Sequence, residues 1–283
     1  MELREAIGRR RSTRFLLPYK PVEREKIQRM LEAARLSSFW GNVQALRAVV
    51  IERATAPKEV IDALPPGSAI AGFQLRLAPV LIVWYLDWSL LPHQGERLHE
   101  LVECGAVGLD KAQSHRFLDE SLIPFFNNAM ENIKASGINE MDCGQGIAQA
   151  TLMAFEQGLG TCLIGFPASK KLRRAIGLPA DCKILVVQTV GYPAESPEAG
   201  GQRPRLPFEQ QYFLNNCSQP FPRDEKVIEG LKQDKMIQNQ APLPWRWAEL
   251  AYLARALEIS PIFGDEVAEM TERIVKDMMD TES

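Results

Sequence analysis

The sequence predicts a globular fold that mixes helices and strands, as one large domain or one domain plus an appendage. The chain of 283 residues is 46% hydrophobic and 24% charged, which is ordinary for a protein that buries a sizeable core. Apolar runs of strand length occur at residues 48–51, 79–86 and 182–190. Segments with apolar residues at helical spacing lie between them. We therefore expect helices packed against a sheet.

Residues 142–166 are the most informative stretch, and we interpret them as a buried helix, a tight turn and a buried strand. We expect Asp142 to cap the helix, with Gln145 completing a capping box, and Gly158 to end it in a left-handed conformation. Apolar spacing at i, i+3, i+4 and i+7 is carried by Ile147, Ala150, Thr151 and Ala154. Another helix can approach closely where the residues are small: Gly144, Gly146, Ala148, Ala150 and Ala154. This composition suits a subunit interface as well as a monomer core.

Two glycine patterns in this stretch imitate nucleotide-binding motifs, but neither has the required context. Gly144 and Gly146 begin a dinucleotide-binding pattern, yet Gln149 stands at its third position and residues 138–142 do not resemble a strand. Residues 158–165 lack the Gly-Lys-Ser/Thr ending of a phosphate loop. The sequence therefore favours neither a Rossmann domain nor an NTPase.

The other elements follow from the same patterns. Helices are expected at residues 2–10, 22–36, 60–64, 98–119, 125–135, 170–176, 224–236 and 244–259, with a last helix beginning at Asp265. The segments 98–119 and 125–135 are of mixed polarity, so their buried faces are not defined. Gly177 closes the helix before the strand at 182–190, and residues 194–201 are a loop by composition.

Charge and cysteine usage exclude several classes of function. The net charge is −3, so there is no global basic field to hold nucleic acid or an anionic membrane. We find no signal peptide, and the longest apolar run, residues 78–91, is short for a membrane span and contains Asp87. The five cysteines are widely spaced without a Cys-x-x-Cys pair, which favours reduced thiols in a cytoplasmic protein. The scattered histidines, His93, His99 and His115, are expected at the surface rather than at a metal.

Two arginine-rich segments are candidates for binding an anion. Residues 10–14 (RRSTR) concentrate guanidinium and hydroxyl groups that can cradle a phosphate. Arg203 and Arg205 flank a proline, and in an extended conformation residues two apart point the same way, so both can grip one anion. The alternative for both segments is an ordinary solvated basic turn.

Several stretches, taken in order and spacing, resemble the nitroreductase family of FMN-dependent oxidoreductases over residues 1–214. They are RRSTR at 10–14, AARLSSFWGNVQ at 33–44, GLGTCLIG at 158–165, LPAD at 178–181, GYP at 191–193 and RPR at 203–205. The resemblance implies an α+β fold with a mostly antiparallel central sheet flanked by helices. It also implies an intertwined homodimer with two FMN sites at the subunit interface.

Carried over to this sequence, the resemblance implies a set of FMN contacts. Arg10, Arg11 and Ser12 would hold the phosphate and ribityl chain, Arg203 and Arg205 would complete the phosphate clamp, and Arg14 would lie toward the pyrimidine end of the ring. A further set would come from the partner subunit, namely Ser38, Phe39 and Asn42, with Gln44 in support. The main chain of three further residues would pass along the face of the flavin ring: Leu163, Gly165 and Phe166.

The chain departs from the family pattern near Asn42. The family commonly has Ala-Pro-Ser where this chain has residues 37–39 (SSF), and Pro-Trp where it has residues 45–46 (AL). A hydroxyl contact at position 39 is therefore lost, and Phe39 and Trp40 could instead pack on the flavin or narrow the substrate face. The segment 215–283 lies beyond the resemblance and is expected to be a helical extension packed over the dimer as a wall or lid.

The function implied is hydride transfer from NADH or NADPH through FMN to a nitroaromatic, quinone or related small molecule. Because the cofactor carries this chemistry, no catalytic side chain is nominated. Two alternatives stay open: a specialised family member acting on oxygen or a halogenated substrate, and a non-catalytic flavin-binding or interaction protein. Nucleic-acid and membrane partners are not expected. Neither the nicotinamide nor the acceptor follows from the sequence.

Overall fold

The computed structural model of the protein describes residues 1–64, 72–165 and 170–259, and within these ranges four strands form one sheet. The strands are β1 (Leu46–Glu52), β2 (Val80–Asp87), β3 (Gly160–Gly165) and β4 (Cys182–Gly191). Their order is β1-β2-β4-β3, and every neighbouring pair is antiparallel. The predicted α+β class with a mostly antiparallel sheet is confirmed.

Helices account for most of the remaining described residues. The α-helices are α1 (Leu3–Arg9), α2 (Arg24–Arg35), α3 (Lys58–Ala63), α4 (Gly72–Leu77), α5 (Gln94–Glu103), α6 (Lys111–Phe117), α7 (Ile123–Asn128), α8 (Met130–Ala135), α9 (Ile138–Glu156), α10 (Lys170–Ala175), α11 (Glu225–Gln233) and α12 (Arg246–Ala256). Short 3-10 turns span Trp40–Asn42, Trp88–His93 and Phe208–Gln210, and a π-helical turn spans Leu118–Leu122. The expected helix beginning at Asp265 lies outside the described residues.

The sheet is covered on both faces, which explains the apolar character of its central strands. On one face, α2 and α9 pack against β2 through side chains such as Met30, Ala150 and Trp84. On the other face, α3 and α10 contribute Ala63 and Leu172 to a second cluster. Close packing of α9 against α2 requires Gly146, because a Cβ there would lie 3.0 Å from the carbonyl oxygen of Ala34. The expectation of a buried helix that another helix approaches closely is therefore met on this face.

Helix α9 begins earlier than the sequence indicates. Gly137, at φ 77°, precedes its first turn, so Asp142 lies inside the helix and the predicted capping box is wrong. The Asp142 carboxylate instead accepts a hydrogen bond from the backbone N–H of Trp40 at 2.6 Å. The other end is as predicted, because Gly158 leaves the helix at φ 76°.

The segment predicted as one helix over residues 98–119 is broken in the structure. Gly105 and Gly108 adopt positive φ between α5 and α6, and Asp110 caps α6 by accepting a hydrogen bond from Gln113 at 2.7 Å. Similarly, the helix predicted over 125–135 is divided between α7 and α8. Mixed polarity hid both breaks, because neither half presents a continuous apolar stripe.

The break between α5 and α6 brings two histidines together. The Nδ1 atoms of His99 and His115 lie 2.6 Å apart, and the rings are half-buried, so the expectation of separate surface histidines is wrong for this pair. The described residues include no cluster of His, Cys, Asp or Glu suited to a metal ion. All five cysteines are free thiols. In the ranges that the structure describes, none of the helices has the length and apolar character needed to span a membrane.

Candidate functional site

The arginine segment at residues 10–14 runs along the free edge of β3. The N–H of Thr13 donates to the carbonyl of Thr161 at 2.9 Å, and Ser12 pairs with Thr161 as a parallel bridge. Gly160 permits this approach, because a Cβ at that position would lie 2.6 Å from the Thr13 side chain. The segment thus caps the sheet edge and fixes the backbone that carries its arginines.

The five arginines predicted to contact FMN influence one another electrostatically. Burial lowers the pKa of Arg10, and the charge of Arg205 lowers it further. Burial likewise lowers the pKa of Arg203, and among its charged neighbours Arg14 has the largest effect on that pKa. For Arg11, burial again lowers the pKa most, followed by the charge of Arg203. The structure therefore brings together both segments that the sequence singled out, and their like charges favour binding of an anion.

The arginines differ in how many of their donors the protein already uses. Arg11 is buried and donates to the carbonyl of Gly201 at 3.1 Å, to the Gln238 side chain at 3.1 Å, and to the carbonyl of Gly8. Arg203 donates to the carbonyl of Ala199 at 2.8 Å. These two guanidinium groups therefore tie the cluster to its own loops.

The other three guanidinium groups keep most of their donors available. Within the ranges that the structure describes, Arg14 makes one long hydrogen bond to the carbonyl of Ser12 at 3.4 Å, and Arg205 donates only to the adjacent carbonyl of Pro204 at 3.1 Å. Among the described residues, the Arg10 guanidinium has no hydrogen-bond partner. A phosphate offers several strong acceptors, so Arg10 and Arg205 are suited to hold one, while Arg14 has donors for another part of the same ligand.

Strand β3 presents alternate residues beside this cluster. Cys162 and Ile164 are buried, whereas Leu163 is 45% exposed and Gly165 is exposed, so the outer face of the strand is open. Burial raises the pKa of the Cys162 thiol, which accepts a hydrogen bond from the Ser12 side chain and stays neutral. The open face can lie against a flat group. Phe166, predicted to continue this contact, lies outside the described residues.

The turn that contains Asn42 has an unusual backbone. Gly41, Asn42 and Gln44 all adopt φ of 54° to 55°, a left-handed conformation that non-glycine residues seldom adopt. Gly41 is required because a Cβ there would lie 2.1 Å from the buried Gln94 side chain. Strained backbone of this kind concentrates at binding sites. Ser38 is exposed, and the other predicted contacts in this turn are half-exposed: Phe39, Asn42 and Gln44.

This turn and the arginine cluster lie near opposite ends of α9. Asp142, near the start of the helix, binds Trp40, while β3 and the arginine segment follow the end of the helix at Glu156. A rise of about 1.5 Å per residue separates those two points by roughly 20 Å along the helix. One chain therefore presents two separate halves of the predicted site.

Two residues that support the arginine segment were missed by sequence reasoning. The buried Glu195 carboxylate accepts hydrogen bonds from the backbone N–H groups of Arg14 at 2.6 Å and Phe15 at 3.2 Å. Its other oxygen forms an ion pair with Arg246 of α12 at 2.7 Å. The available signals were weak: an acid shortly after the GYP motif, and an arginine between two tryptophans. Neither signal indicates its partner.

Comparison with known proteins identifies relatives of this architecture. A family model described as the nitroreductase family matches residues 7–192. The structure of a nitroreductase from Exiguobacterium sibiricum in complex with FMN is 24% identical, with 73% of this chain and 94% of that chain covered and a TM-score of 0.58. No curated protein matches the chain.

Two further solved structures share the fold at lower identity. An NAD(P)H:FMN oxidoreductase from Staphylococcus epidermidis is 20% identical, covering 75% of this chain and 95% of that chain, with a TM-score of 0.60. A nitroreductase-like protein from Streptococcus mutans is 16% identical, covering 75% and 97%, with a TM-score of 0.60. These likenesses extend over most of the length of each relative.

Proposed function

The chain belongs to the nitroreductase family, and from that premise we propose that it is an FMN-dependent oxidoreductase. In this proposal it takes hydride from NADH or NADPH and reduces a nitroaromatic, quinone or related electron-poor small molecule. The observation that supports it best is the group of three arginines, Arg10, Arg14 and Arg205, with donors available beside the open face of β3. The similar structure from Exiguobacterium sibiricum is described as a complex with FMN.

Each part of the site has a role in this proposal. Arg10, Ser12 and Arg205 bind the phosphate and ribityl chain, while Arg11 and Arg203 hold the two loops together through backbone carbonyls. Arg14 carries positive charge toward the pyrimidine end of the ring, where it stabilises negative charge. Leu163 and Gly165 would lie along the ring face. When bound, FMN supplies the hydride chemistry, so no side-chain nucleophile or base is required.

We further propose that the protein is a homodimer whose subunits together complete each site. The Asn42 turn adjoins α9 at Asp142, and the arginine segment pairs with the strand that follows the other end of α9 at Glu156, about 20 Å away along the helix. In this proposal a second copy brings such a turn to the cluster. Several residues on α9 are exposed in the single chain and would face the other copy: Met141, Gly144, Gln145, Ala148 and Gln149. The partner's turn would supply Ser38, Phe39, Asn42 and Gln44. Five free thiols fit a reducing, cytoplasmic location.

The aromatic residues at the Asn42 turn favour a second candidate, a specialised enzyme of the same family. The Trp40 ring packs edge-on against Phe126 at 5.0 Å, and Phe39 stands beside it in the chain. Bulk at this position would restrict which acceptors reach the flavin. Activity with oxygen or a halogenated substrate, and not with nitroaromatics or quinones, would favour this candidate.

The test is the visible absorption spectrum of the protein purified without added flavin, repeated after anaerobic addition of NADH or NADPH. We expect a flavin spectrum that bleaches with one of the two nucleotides. A flavin spectrum that neither nucleotide bleaches would favour a non-catalytic flavin-binding protein. A colourless protein that also fails to take up added FMN would overturn the proposed function.

A further inference from the structure

Helix α11 and the residues after it pack directly on the helix that precedes the arginine segment. Gly8 of α1 meets this part of the chain so closely that a Cβ would lie 2.4 Å from the carbonyl oxygen of Lys235. An ion pair joins Arg4 to Asp234, and Gln238 accepts a hydrogen bond from Arg11. The C-terminal segment therefore supports one side of the arginine cluster.

The same segment also supports the loop that carries Arg203. The N–H of Gln202 donates to the carbonyl of Asn239 at 2.9 Å, and the N–H of Ala241 donates back to Gln202 at 2.8 Å. The N–H of Leu243 donates to the carbonyl of Gly200 at 2.8 Å. Backbone pairing of this kind fixes the residues immediately before Arg203.

Arg246 follows this segment as the first residue of α12, and its side chain is only 11% exposed. It pairs with Glu195 at 2.7 Å and with Glu249 at 2.6 Å, and Glu249 in turn accepts the N–H of Ser196 at 2.6 Å. Gly200 leaves room for it, because a Cβ there would lie 2.7 Å from Cδ of Arg246. The guanidinium group therefore donates a hydrogen bond to Glu249 and forms an ion pair with Glu195, whose facing oxygen has no hydrogen-bond partner among the described residues.

Glu195 is a potential competitor for the arginine cradle, that is, the cluster of Arg10, Arg11, Arg14, Arg203 and Arg205. Its carboxylate is buried beside Arg14 and influences the pKa of Arg203. A buried carboxylate that loses its cationic partner carries a large desolvation cost and takes the nearest available cation. The arginines of the cluster that Glu195 adjoins are Arg14 and Arg203, so without Arg246 it would pair with one of these two.

We propose that Arg246 is a positioning residue for the phosphate site: by pairing with Glu195 it keeps the cradle arginines available for a phosphate monoester. The ion pair between Arg246 and Glu195 then anchors the C-terminal segment and also leaves the arginines available to the phosphate. Docking of the segment and binding of the phosphate are therefore coupled. This inference rests on the proposed function and extends it to a residue outside the region that the family model matches.

The experiment compares FMN with riboflavin, which lacks the phosphate, by fluorescence titration of the flavin-free full-length protein. Arg246→Met is expected to weaken FMN binding about tenfold or more, as loss of one charge-assisted phosphate contact would. Riboflavin binding is expected to change less than FMN binding, because riboflavin lacks the phosphate. Arg246→Lys keeps the charge but not the forked geometry, so it should recover part of the FMN affinity. Arg255→Met, at an exposed position on the same helix, is the matched control and should leave both affinities unchanged.

A double variant, Glu195→Gln with Arg246→Met, removes the competing charge together with its partner, while the introduced amide oxygen can still accept the two backbone N–H groups. FMN affinity within about threefold of the wild type is expected. Equal loss of FMN and riboflavin in Arg246→Met would overturn the inference, as would a tenfold loss of FMN binding in the double variant. If the wild type binds neither flavin, the proposed function itself fails, and that result is distinct from either outcome.

Discussion

Arg10 and Arg11 are neighbours in the chain, yet their guanidinium groups have different surroundings. Arg11 is buried and donates to backbone carbonyls and to Gln238, which lies 227 residues away in sequence. Arg10 is half-buried beside Arg205 and makes no side-chain hydrogen bond within the described part of the chain. Composition identified the segment as an anion site, but no local pattern distinguishes the two roles because the partners of Arg11 are distant in sequence.

This difference predicts a phosphate-specific effect for Arg10→Gln. We expect the Kd for FMN to rise about tenfold to a hundredfold, because a hydrogen bond to a charged group contributes about 1.5–3 kcal/mol. The Kd for riboflavin should change little. The control is Arg9→Gln, whose arginine pairs with Glu5 at 2.7 Å. Fluorescence titration measures both ligands, and equal weakening of both would contradict the role assigned to Arg10.

Asp142 predicts a pH dependence of stability. Burial raises the pKa of this carboxyl above its ordinary value, although the hydrogen bond from the Trp40 N–H opposes the shift. The native state therefore holds the proton to higher pH than the unfolded state, and the resulting stabilisation is present below the unfolded pKa and lost as pH rises through the native pKa. Asp142→Asn keeps an acceptor for Trp40 and cannot ionise.

The measurement is the urea unfolding free energy of both proteins at several pH values. Relative to Asp142→Asn, the wild type should lose stability as pH rises from about 3 to about 7. If the difference in unfolding free energy between the two proteins does not vary with pH, the Asp142 carboxyl has the same pKa in the folded and unfolded states.

At the scale of elements, the strands and helices that the sequence predicted well are those that keep one burial pattern along their whole length. β2 and most of β4 are covered on both faces, so their residues form mainly apolar runs that are typical of buried strands. Helix α2 has a single apolar stripe and was found within two residues at its start and one at its end. The failures have a common cause: the start of α9 and the break at Gly105 depend on turns and contacts that leave no periodic signal.

The site was predictable only where its chemistry is local. Clusters of arginine appear in the sequence itself, and the structure brings the two segments together. The ion pair between Glu195 and Arg246 joins residues 51 positions apart, in a loop and a helix that share no pattern. Such a pair depends on tertiary packing and cannot be inferred from spacing.

The exposed residues of helix α9 allow a test of the proposed homodimer. Ala148 is exposed on this helix, and an arginine there would place charge in the middle of the proposed subunit interface. We expect Ala148→Arg to be largely monomeric and, because each site needs both copies, to lose most of its FMN. Sedimentation velocity and flavin absorbance of the same sample test both parts. Ala112→Arg, an exposed alanine on α6, is the control, and a dimeric Ala148→Arg protein with full flavin content would contradict the interface.

At the scale of the whole molecule, the C-terminal segment shares a core with the N-terminal part of the chain. Leu253 of α12 is 2% exposed and packs with Phe15, Phe73 and Leu77 in one cluster. Phe15 directly follows Arg14, so this cluster lies immediately behind the arginine segment. A freely appended segment would not contribute a buried side chain to such a core. We therefore expect the segment to unfold together with the rest of the protein.

Leu253→Ala tests this cooperativity. The variant should lose about 2–5 kcal/mol of unfolding free energy, as expected for a leucine removed from a packed core. Tyr252→Ala, whose side chain is 63% exposed, should change it by no more than about 0.5 kcal/mol. Chemical denaturation followed by far-ultraviolet circular dichroism and by tryptophan fluorescence should give coincident transitions, since Trp84 lies in the sheet while Trp245 and Trp247 lie at the start of the C-terminal helix. An early fluorescence transition accompanied by only a small part of the dichroism change, as expected for loss of α11 and α12 alone, would mean that the segment unfolds separately. Coupling between its docking and the arginine cradle would then have no physical basis.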